Sequence, residues 1–120
     1  MTAEGAIHAF WASFGVPAYE KHAVSEDTAL PYIAYSLACG AMGEETGMTA
    51  DLYCGGSSRL ACHALASEIA AYIGGGRLLA CDKGTIWLRR ASPFLTAEDA
   101  GGRDLCRSTV RITAMFLTRV

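Results

Sequence analysis

The stretch LPYIAYSLACGAMGEETGMTADLYC, residues Leu30–Cys54, decides the fold predicted for this chain. Two arms in which apolar residues recur at every second position flank the polar, glycine-rich segment Gly40–Gly47. Side chains of a strand alternate between the two faces of a sheet, so each arm presents its apolar set on one face. The sets are Ile33, Tyr35, Leu37 and Cys39 on the first arm, and Met48, Ala50, Leu52 and Cys54 on the second. The stretch therefore predicts a long β-hairpin with a solvated tip.

An amphipathic helix is predicted before the hairpin, over residues 2–14. Thr2 can cap its first turn, and Gly15 and Pro17 prevent it from continuing. Its apolar positions recur with helical spacing, which is typical of core packing. They are Ile7, Phe10, Trp11 and Phe14.

A second helix is predicted after the hairpin, from about Ser57, which with Ser58 can cap it, to about Ile73. Its apolar stripe contains many small residues, which allows a close approach to a sheet. The stripe consists of Cys62, Leu65, Ala66, Ile69 and Ile73. We expect this stripe to pack on Ile33, Leu37 and Leu52 of the hairpin.

Three further strands are predicted, over Arg77–Cys81, Thr85–Ala91 and Leu105–Leu117, and Ala18-Tyr19 could add a brief edge strand. Ser92-Pro93-Phe94 interrupts the pattern, and residues 96–102 are predicted to be an acidic loop. The order is then α-β-β-α-β-β-β. Helices separated by antiparallel strands indicate an α+β fold, with two helices packed on one face of a mostly antiparallel sheet.

Composition limits the function. The chain has 120 residues, which suits one domain over 1–120, and 52% of them are hydrophobic, which supplies a packed core. A net charge of −2 gives neither the basic surface of a nucleic-acid binder nor a polybasic membrane patch. No run approaches the roughly 20 apolar residues of a membrane span. An N-terminus with Glu4 and no basic segment is unlike a secretion signal, so we expect a cytoplasmic protein.

Five cysteines fit a reducing compartment. They are Cys39, Cys54, Cys62, Cys81 and Cys106, an odd number without a CxxC spacing. We expect reduced, structural thiols, no metal site and no disulfide. Cys39 and Cys54 could still face each other across the hairpin, since its register is open.

No residue pattern indicates catalysis. His8, His22 and His63 belong to no metal-binding spacing, and no nucleophile elbow occurs. Gly55-Gly56-Ser57-Ser58 lacks the lysine of a phosphate-binding loop and is predicted to be a strand-to-helix turn. The paired carboxylates Glu26-Asp27, Glu44-Glu45 and Glu98-Asp99 lie in polar segments typical of solvated loops. We therefore predict a protein that is not an enzyme and holds no cofactor.

One feature does point to a surface with a role. The sheet face opposite the helices should be polar, yet it collects large apolar residues on several strands. They are Tyr32, Tyr53, Trp87, Met115 and Leu117. A helix or loop of the same chain could cover them; the alternative is a subunit interface, which makes these five residues the candidate site.

The order of these motifs resembles the small tail-terminator, or tail-completion, proteins of phages with long non-contractile tails. The resemblance covers nearly the whole chain. Its motifs are FGVPAY, LPYIAYSL with its hairpin, SSRLACHALASEIAAYIGGG, GTIWLRRASPF and VRITAMFLT. The resemblance implies a prophage-encoded structural protein.

In that family, α+β protomers assemble as a ring, commonly a hexamer, on the end of the tail tube. The resemblance implies three partners: further copies of the chain, the tail-tube protein and the head-completion protein. It places the chain in the host cytoplasm during assembly and then in the virion tail. The alternatives are a head–tail connector or minor capsid protein and, from another class, a small-molecule-binding or regulatory α+β domain. A pocket lined by His63 or Tyr72 would favour the last.

Overall fold

A curled six-stranded sheet with two helices packed on one face forms the described part of the molecule, and the predicted α+β class is confirmed. The computed structural model describes residues 1–25, 27–56, 59–98 and 105–118. The helices are α1 (Ala3–Ala12) and α2 (Leu60–Ile73), and a 3-10 helix spans Lys21–Ala23. The strands are β1 (Ala18–Glu20), β2 (Tyr32–Tyr35), β3 (Glu45–Gly55), β4 (Arg77–Cys81), β5 (Gly84–Glu98) and β6 (Leu105–Thr118).

The strand order is β1-β2-β3-β6-β5-β4, and among these described strands only the β1–β2 pair is parallel. Helix α2 contacts the central strands β3, β5 and β6, whereas α1 contacts both edge strands, β1 and β4. A sheet whose two edges reach the same helix must curl around it. We call the helix-covered side the inner face and the opposite side the outer face.

The two predicted apolar stripes line the inner face. All five members of the second stripe are buried, and so are Ile7, Phe10 and Trp11 of the first. Phe14 lies beyond the end of α1 and is partly buried against the same core. Thr2 caps α1 as predicted, because its Oγ1 accepts a hydrogen bond of 3.0 Å from the backbone N–H of Gly5. The predicted caps of α2, Ser57 and Ser58, lie outside the described residues.

The first arm of the hairpin is shorter than predicted. Strand β2 ends at Tyr35, and Leu37 is 38% exposed, so the placement of Leu37 and Cys39 on the core face was wrong. The cause is Ser36, whose hydroxyl accepts from the backbone N–H of Thr49 at 3.0 Å. A side chain then occupies the place of the next ladder bond, and the strand pairing stops.

The hairpin register also separates Cys39 from Cys54. Tyr32 pairs with Tyr53 and Tyr35 with Ala50, so Cys54 lies beside the start of the first arm. Its partner is Cys106 on β6. The suggested approach of Cys39 to Cys54 was therefore wrong.

Two other boundaries differ from the prediction. Ala18-Tyr19 does belong to an edge strand, β1, which adds a sixth strand to the predicted order. Strand β5 continues through the predicted break at Ser92-Pro93-Phe94 to Glu98, with a register shift between Arg90 and Leu95. A bulge absorbs extra residues without ending a strand. Residues 96–98 of the predicted loop are thus strand, and residues 99–102 lie outside the described part of the chain.

Candidate subunit interface

The five predicted interface residues share the outer face but form two separate groups. In the sheet, Tyr32 pairs with Tyr53 and Trp87 pairs with Met115. Leu117 lies two residues after Met115 on β6. The two groups are separated along β6 by polar residues, namely Arg107, Thr109, Arg111 and Thr113. The structure therefore does not bring the five residues together in one patch.

The first group, which we call the tyrosine patch, consists of Tyr19, Tyr32 and Tyr53. The rings of Tyr32 and Tyr53 stack with centroids 4.8 Å apart, and Tyr19 meets Tyr32 edge-on at 6.1 Å. Burial raises the pKa of Tyr32, and the neighbouring Tyr53 and Asp51 raise it further. The three rings present an aromatic surface with hydroxyl groups, the composition enriched at protein interfaces.

The second group, which we call the tryptophan patch, consists of Leu78, Trp87, Met115 and Leu117. Leu78 is 61% exposed and Leu117 is 41% exposed, while Trp87 and Met115 are partly buried. The Trp87 indole rests on Gly76, where an added Cβ would lie 2.6 Å from Nε1. The Arg89 guanidinium lies 4.6 Å from the Trp87 ring centroid and pairs with Glu45. Residues of the same chain thus fix the indole and leave the leucines uncovered.

Between the patches lies a charged network that sequence reasoning missed. Its centre is Asp51, which is 5% exposed and accepts a 2.7 Å hydrogen bond from the hydroxyl of Thr109. Arg107 Nη2 lies 3.2 Å and Lys21 Nζ 3.7 Å from Asp51 Oδ2. Nearby, Arg111 donates to Thr96 Oγ1 at 2.7 Å. The only sequence signal for this network was an aspartate at an outward position of an apolar strand.

Three cysteines meet under α2, which the sequence did not predict. Cys54 and Cys106 are cross-strand neighbours, and Cys62 packs on them from the helix. The Cys62 thiol donates to the carbonyl of Leu52 at 3.5 Å, and the Cys106 thiol to that of Gly56 at 3.1 Å. Burial raises the pKa of Cys54 to about 12, with further contributions from Cys62 and Cys106. The three thiols are buried, and those of Cys62 and Cys106 donate weak hydrogen bonds to backbone carbonyls.

The histidines and carboxylate pairs remain dispersed. Nδ1 of His8 lies 2.9 Å from the Tyr35 hydroxyl, His22 lies in the 3-10 helix, and His63 is on the exposed side of α2. Glu44 and Glu45 are exposed, whereas Glu26 and Asp99 lie outside the described residues. Within residues 1–25, 27–56, 59–98 and 105–118, no three His, Cys, Asp or Glu side chains are arranged to hold a metal ion.

Among the grooves lined by described residues, a larger and a smaller one bear on ligand binding. The first, of about 370 Å³, lies between the end of α1, the end of β3 and α2, and is mainly apolar, with Glu68 as its carboxylate. The second, of about 240 Å³, lies between α1 and β4 and includes Tyr72. Of the two residues whose presence in a pocket would favour a small-molecule-binding domain, Tyr72 lines the smaller groove, and His63 is not among the described lining residues of either groove.

Comparisons with known proteins return no relative: no family model, no curated protein and no solved structure matches the chain. Neither helix in the described part of the chain is both long enough and apolar enough to cross a bilayer.

Proposed function

We propose that this protein is a structural virion-assembly subunit that forms a ring, ends the tail tube of a phage and docks to its head-completion proteins. The proposal takes its function from the sequence resemblance described above. The α+β fold and the uncovered apolar surface of a small domain support it. A head–tail connector is the nearest alternative, since it too would assemble through such a surface.

The observation that carries the proposal is the tryptophan patch. Leu78 and Leu117 are exposed beside Trp87 and Met115 on the sheet face opposite α1 and α2. Contiguous exposed apolar patches on small domains mark protein–protein contacts. Trp87 is held in place by Gly76 and Arg89, which suits an anchor residue, because little side-chain freedom is lost on binding.

Analytical ultracentrifugation over a wide concentration range, with and without added tail-tube protein, tests the proposal. We expect rings of the wild-type protein, visible by electron microscopy, at high concentration or at tube ends. Leu117→Asp should abolish them, because a charge would be placed in the desolvated contact. Leu60→Asp is the matched control: it changes a leucine that is 77% exposed on the helical side of the molecule. A wild type that stays monomeric and leaves tube growth unaffected contradicts the proposal.

The larger groove favours a second candidate, a small-molecule-binding domain. Its volume of about 370 Å³ and apolar lining, with one carboxylate at Glu68, resemble a ligand site in size and chemistry. Such a site would select small apolar cations. Ligand-observed NMR with a set of small apolar amines, repeated on Glu68→Gln, tests it: binding that Glu68→Gln does not weaken contradicts this candidate.

A further inference from the structure

We propose that protomers join by an intermolecular sheet, in which β4 of one copy pairs antiparallel with residues 45–47 of β3 in the next copy. The inference rests on the proposed function only in taking a second copy as the partner. It specifies which backbone edges meet and in which register.

The first edge is the part of β3 that β2 leaves uncovered. Strand β2 pairs with β3 only as far as Ala50, and Ser36 then bonds Thr49 through its backbone N–H at 2.8 Å and through its hydroxyl. The N–H and C=O of Thr49 therefore face the β2 side. Because these directions alternate along a strand, the groups of Gly47 and Glu45 face the same side. In the described part of the chain, no backbone hydrogen bond on that side involves Gly47 or Glu45.

The connecting segment does not fill this gap. Ala38 packs on the core and Gly40 lies against the side chain of Thr46 on the inner face, whereas the N–H of Gly43 bonds the carbonyl of Phe116 on β6 at 2.8 Å. The segment ends in a turn in which Glu44 N–H bonds the carbonyl of Ala41 at 3.0 Å. A lateral slot about one short strand long thus remains beside Glu45–Gly47.

The second edge is the outer side of β4. Cys81 and Gly84 pair around a two-residue turn, so Cys81 and Leu79 direct their backbone groups at β5. Leu78 and Ala80 consequently direct theirs away from the sheet. Asp82 continues the alternation of Leu78 and Ala80, so its N–H should also point away from β5. It does, because it donates a 2.6 Å hydrogen bond to the carbonyl of Met1.

The direction of β4 and its position along the sheet are compatible with its pairing to β3 of the next copy. Strands β3, β6, β5 and β4 are successively antiparallel, so β4 runs opposite to β3. A copy rotated about an axis along the strands therefore brings its β4 antiparallel to β3, as β2 is. Across the sheet, Leu78 pairs with Trp87, Trp87 with Met115, and Met115 with Glu45, so these residues form one row perpendicular to the strands. The two edges thus lie at the same level on opposite sides of the protomer.

One register satisfies both edges. Leu78 opposite Gly47 and Ala80 opposite Glu45 forms two hydrogen-bonded pairs. Moving Leu78 opposite Thr49 is blocked, because Thr49 already bonds Ser36. In this register Leu78 lies opposite Gly47 of the next copy, whereas it is level with Glu45 in its own. Adjacent copies are therefore shifted by two residues along the strands, the kind of stagger that a closed ring of tilted strands requires.

The side chains in this register are complementary. Leu78 and Gly47 both belong to the outer face, and nothing lies within 4 Å of a Cβ built on Gly47. The exposed leucine of one tryptophan patch would therefore cover Gly47 and approach Met115 of the next copy. The exposed Lys83 follows β4 and the exposed Glu44 precedes β3, so the two edges carry opposite charges next to the contact.

Such a contact joins two different surfaces of each protomer. A heterologous contact of this kind generates a closed ring when the rotation permits closure. Strand addition to an open edge supplies main-chain hydrogen bonds, and the side chains at alternate positions supply specificity.

Proline substitutions test the pairing without disturbing the ladder inside the protomer. Ala80→Pro removes an N–H that faces away from β5, and Gly47→Pro removes one that faces the slot; proline is tolerated at such edge positions. We expect both variants to stay folded and to raise the dissociation constant for self-association at least about tenfold, through lost hydrogen bonds. Ala80→Ser and Gly47→Ala keep the N–H groups and should associate as the wild type does.

A mixing experiment then tests the head-to-tail geometry. Ala80→Pro keeps an intact slot and Gly47→Pro keeps an intact β4, so a mixture should form heterodimers that neither variant forms alone. Absence of heterodimers overturns the pairing, and so does normal assembly of either proline variant. In both of those outcomes the wild type still assembles, so the proposed function is unaffected. If the wild-type protein never associates, that result contradicts both the proposed function and this strand pairing.

Discussion

The two faces of the same sheet differ in what they contribute. On β6, Val110, Ile112 and Phe116 point inward and are essentially inaccessible to solvent. Arg107, Arg111 and Thr113 alternate with them and point outward. The inner face is one continuous apolar layer under the helices, whereas the outer face alternates apolar patches with paired charges. We infer that the inner face stabilises the protomer and that the outer face, with the strand edges, provides the surfaces available to partners.

The largest effect should follow a truncation on the inner face. Ile69→Ala removes three carbons from a fully buried position of α2 and should lower the free energy of unfolding by about 2–5 kcal/mol. Urea denaturation monitored by circular dichroism measures it. Ser67→Ala, on the exposed side of the same helix, should change stability by less than about 0.5 kcal/mol. Equal effects of the two substitutions would contradict the assignment of the inner face.

A smaller effect should follow removal of the buried charge on the outer face. Asp51→Asn keeps the size of the side chain but leaves Arg107 and Lys21 without their carboxylate, at a cost of about 1–3 kcal/mol. The partly exposed Glu98 pairs with Arg111 at 3.9 Å, and Glu98→Gln should cost no more than about 1 kcal/mol. If Asp51→Asn is as stable as the wild type in the same urea titration, the network has no stabilising role.

Sequence periodicity predicted most of the inner face, but neither the residue at which β2 ends nor the grouping of residues on the outer face. The stripes of α1 and α2 and the alternation of β6 follow from which residues exclude water, so Ile69, Trp11 and Phe116 could be placed correctly. Hydrogen bonds that depend on one side chain could not be predicted. Ser36 ends β2 two residues before Leu37, and no hydrophobic pattern reports that event.

The candidate site was predicted in part for the same reason. Alternation placed Tyr32 and Trp87 on the outer face, but their separation depends on the β3–β6 and β5–β6 registers. The register also decides which cysteines meet, and it brought Cys54 to Cys106. Asp51 was missed because its partners Lys21 and Thr109 are distant in sequence and become neighbours only in the folded sheet.

The tyrosine patch should contribute less than the Asp51 network. Tyr53→Leu keeps apolar bulk but removes the stack on Tyr32 and the Arg107 guanidinium 6.0 Å from the ring centroid. We expect a loss of about 0.5–1.5 kcal/mol, as for other aromatic pairs. Tyr19→Leu, which removes only an edge contact at the exposed margin, should cost less. If Tyr19→Leu lowers the free energy of unfolding more than Tyr53→Leu does, the edge-on contact of Tyr19 with Tyr32 matters more to the patch than the stack of Tyr32 on Tyr53.

The last effect concerns the buried thiols, and it is a loss of stability that begins only above neutral pH. Cys54 has a pKa of about 12 in the folded protein against 9.0 for a free thiol, so the folded chain holds this proton more tightly than the unfolded chain. Stability from this group is fully present below about pH 9. It is lost progressively as the pH rises from there toward 12, because unfolding then releases a proton. We therefore expect the free energy of unfolding to fall above pH 9.

A variant isolates this contribution from other groups that titrate in the alkaline range. Burial also raises the pKa of Tyr35, and that of Tyr32, so both tyrosines add to the alkaline loss in any variant that retains them. Cys54→Ala removes only the thiol, and its unfolding free energy should fall less steeply between pH 9 and 11 than that of the wild type. The measurement is a series of urea titrations at fixed ionic strength. Parallel pH profiles for the two proteins would mean that Cys54 ionises as readily in the folded chain as in the unfolded one, and that the inner face is open to solvent beneath α2.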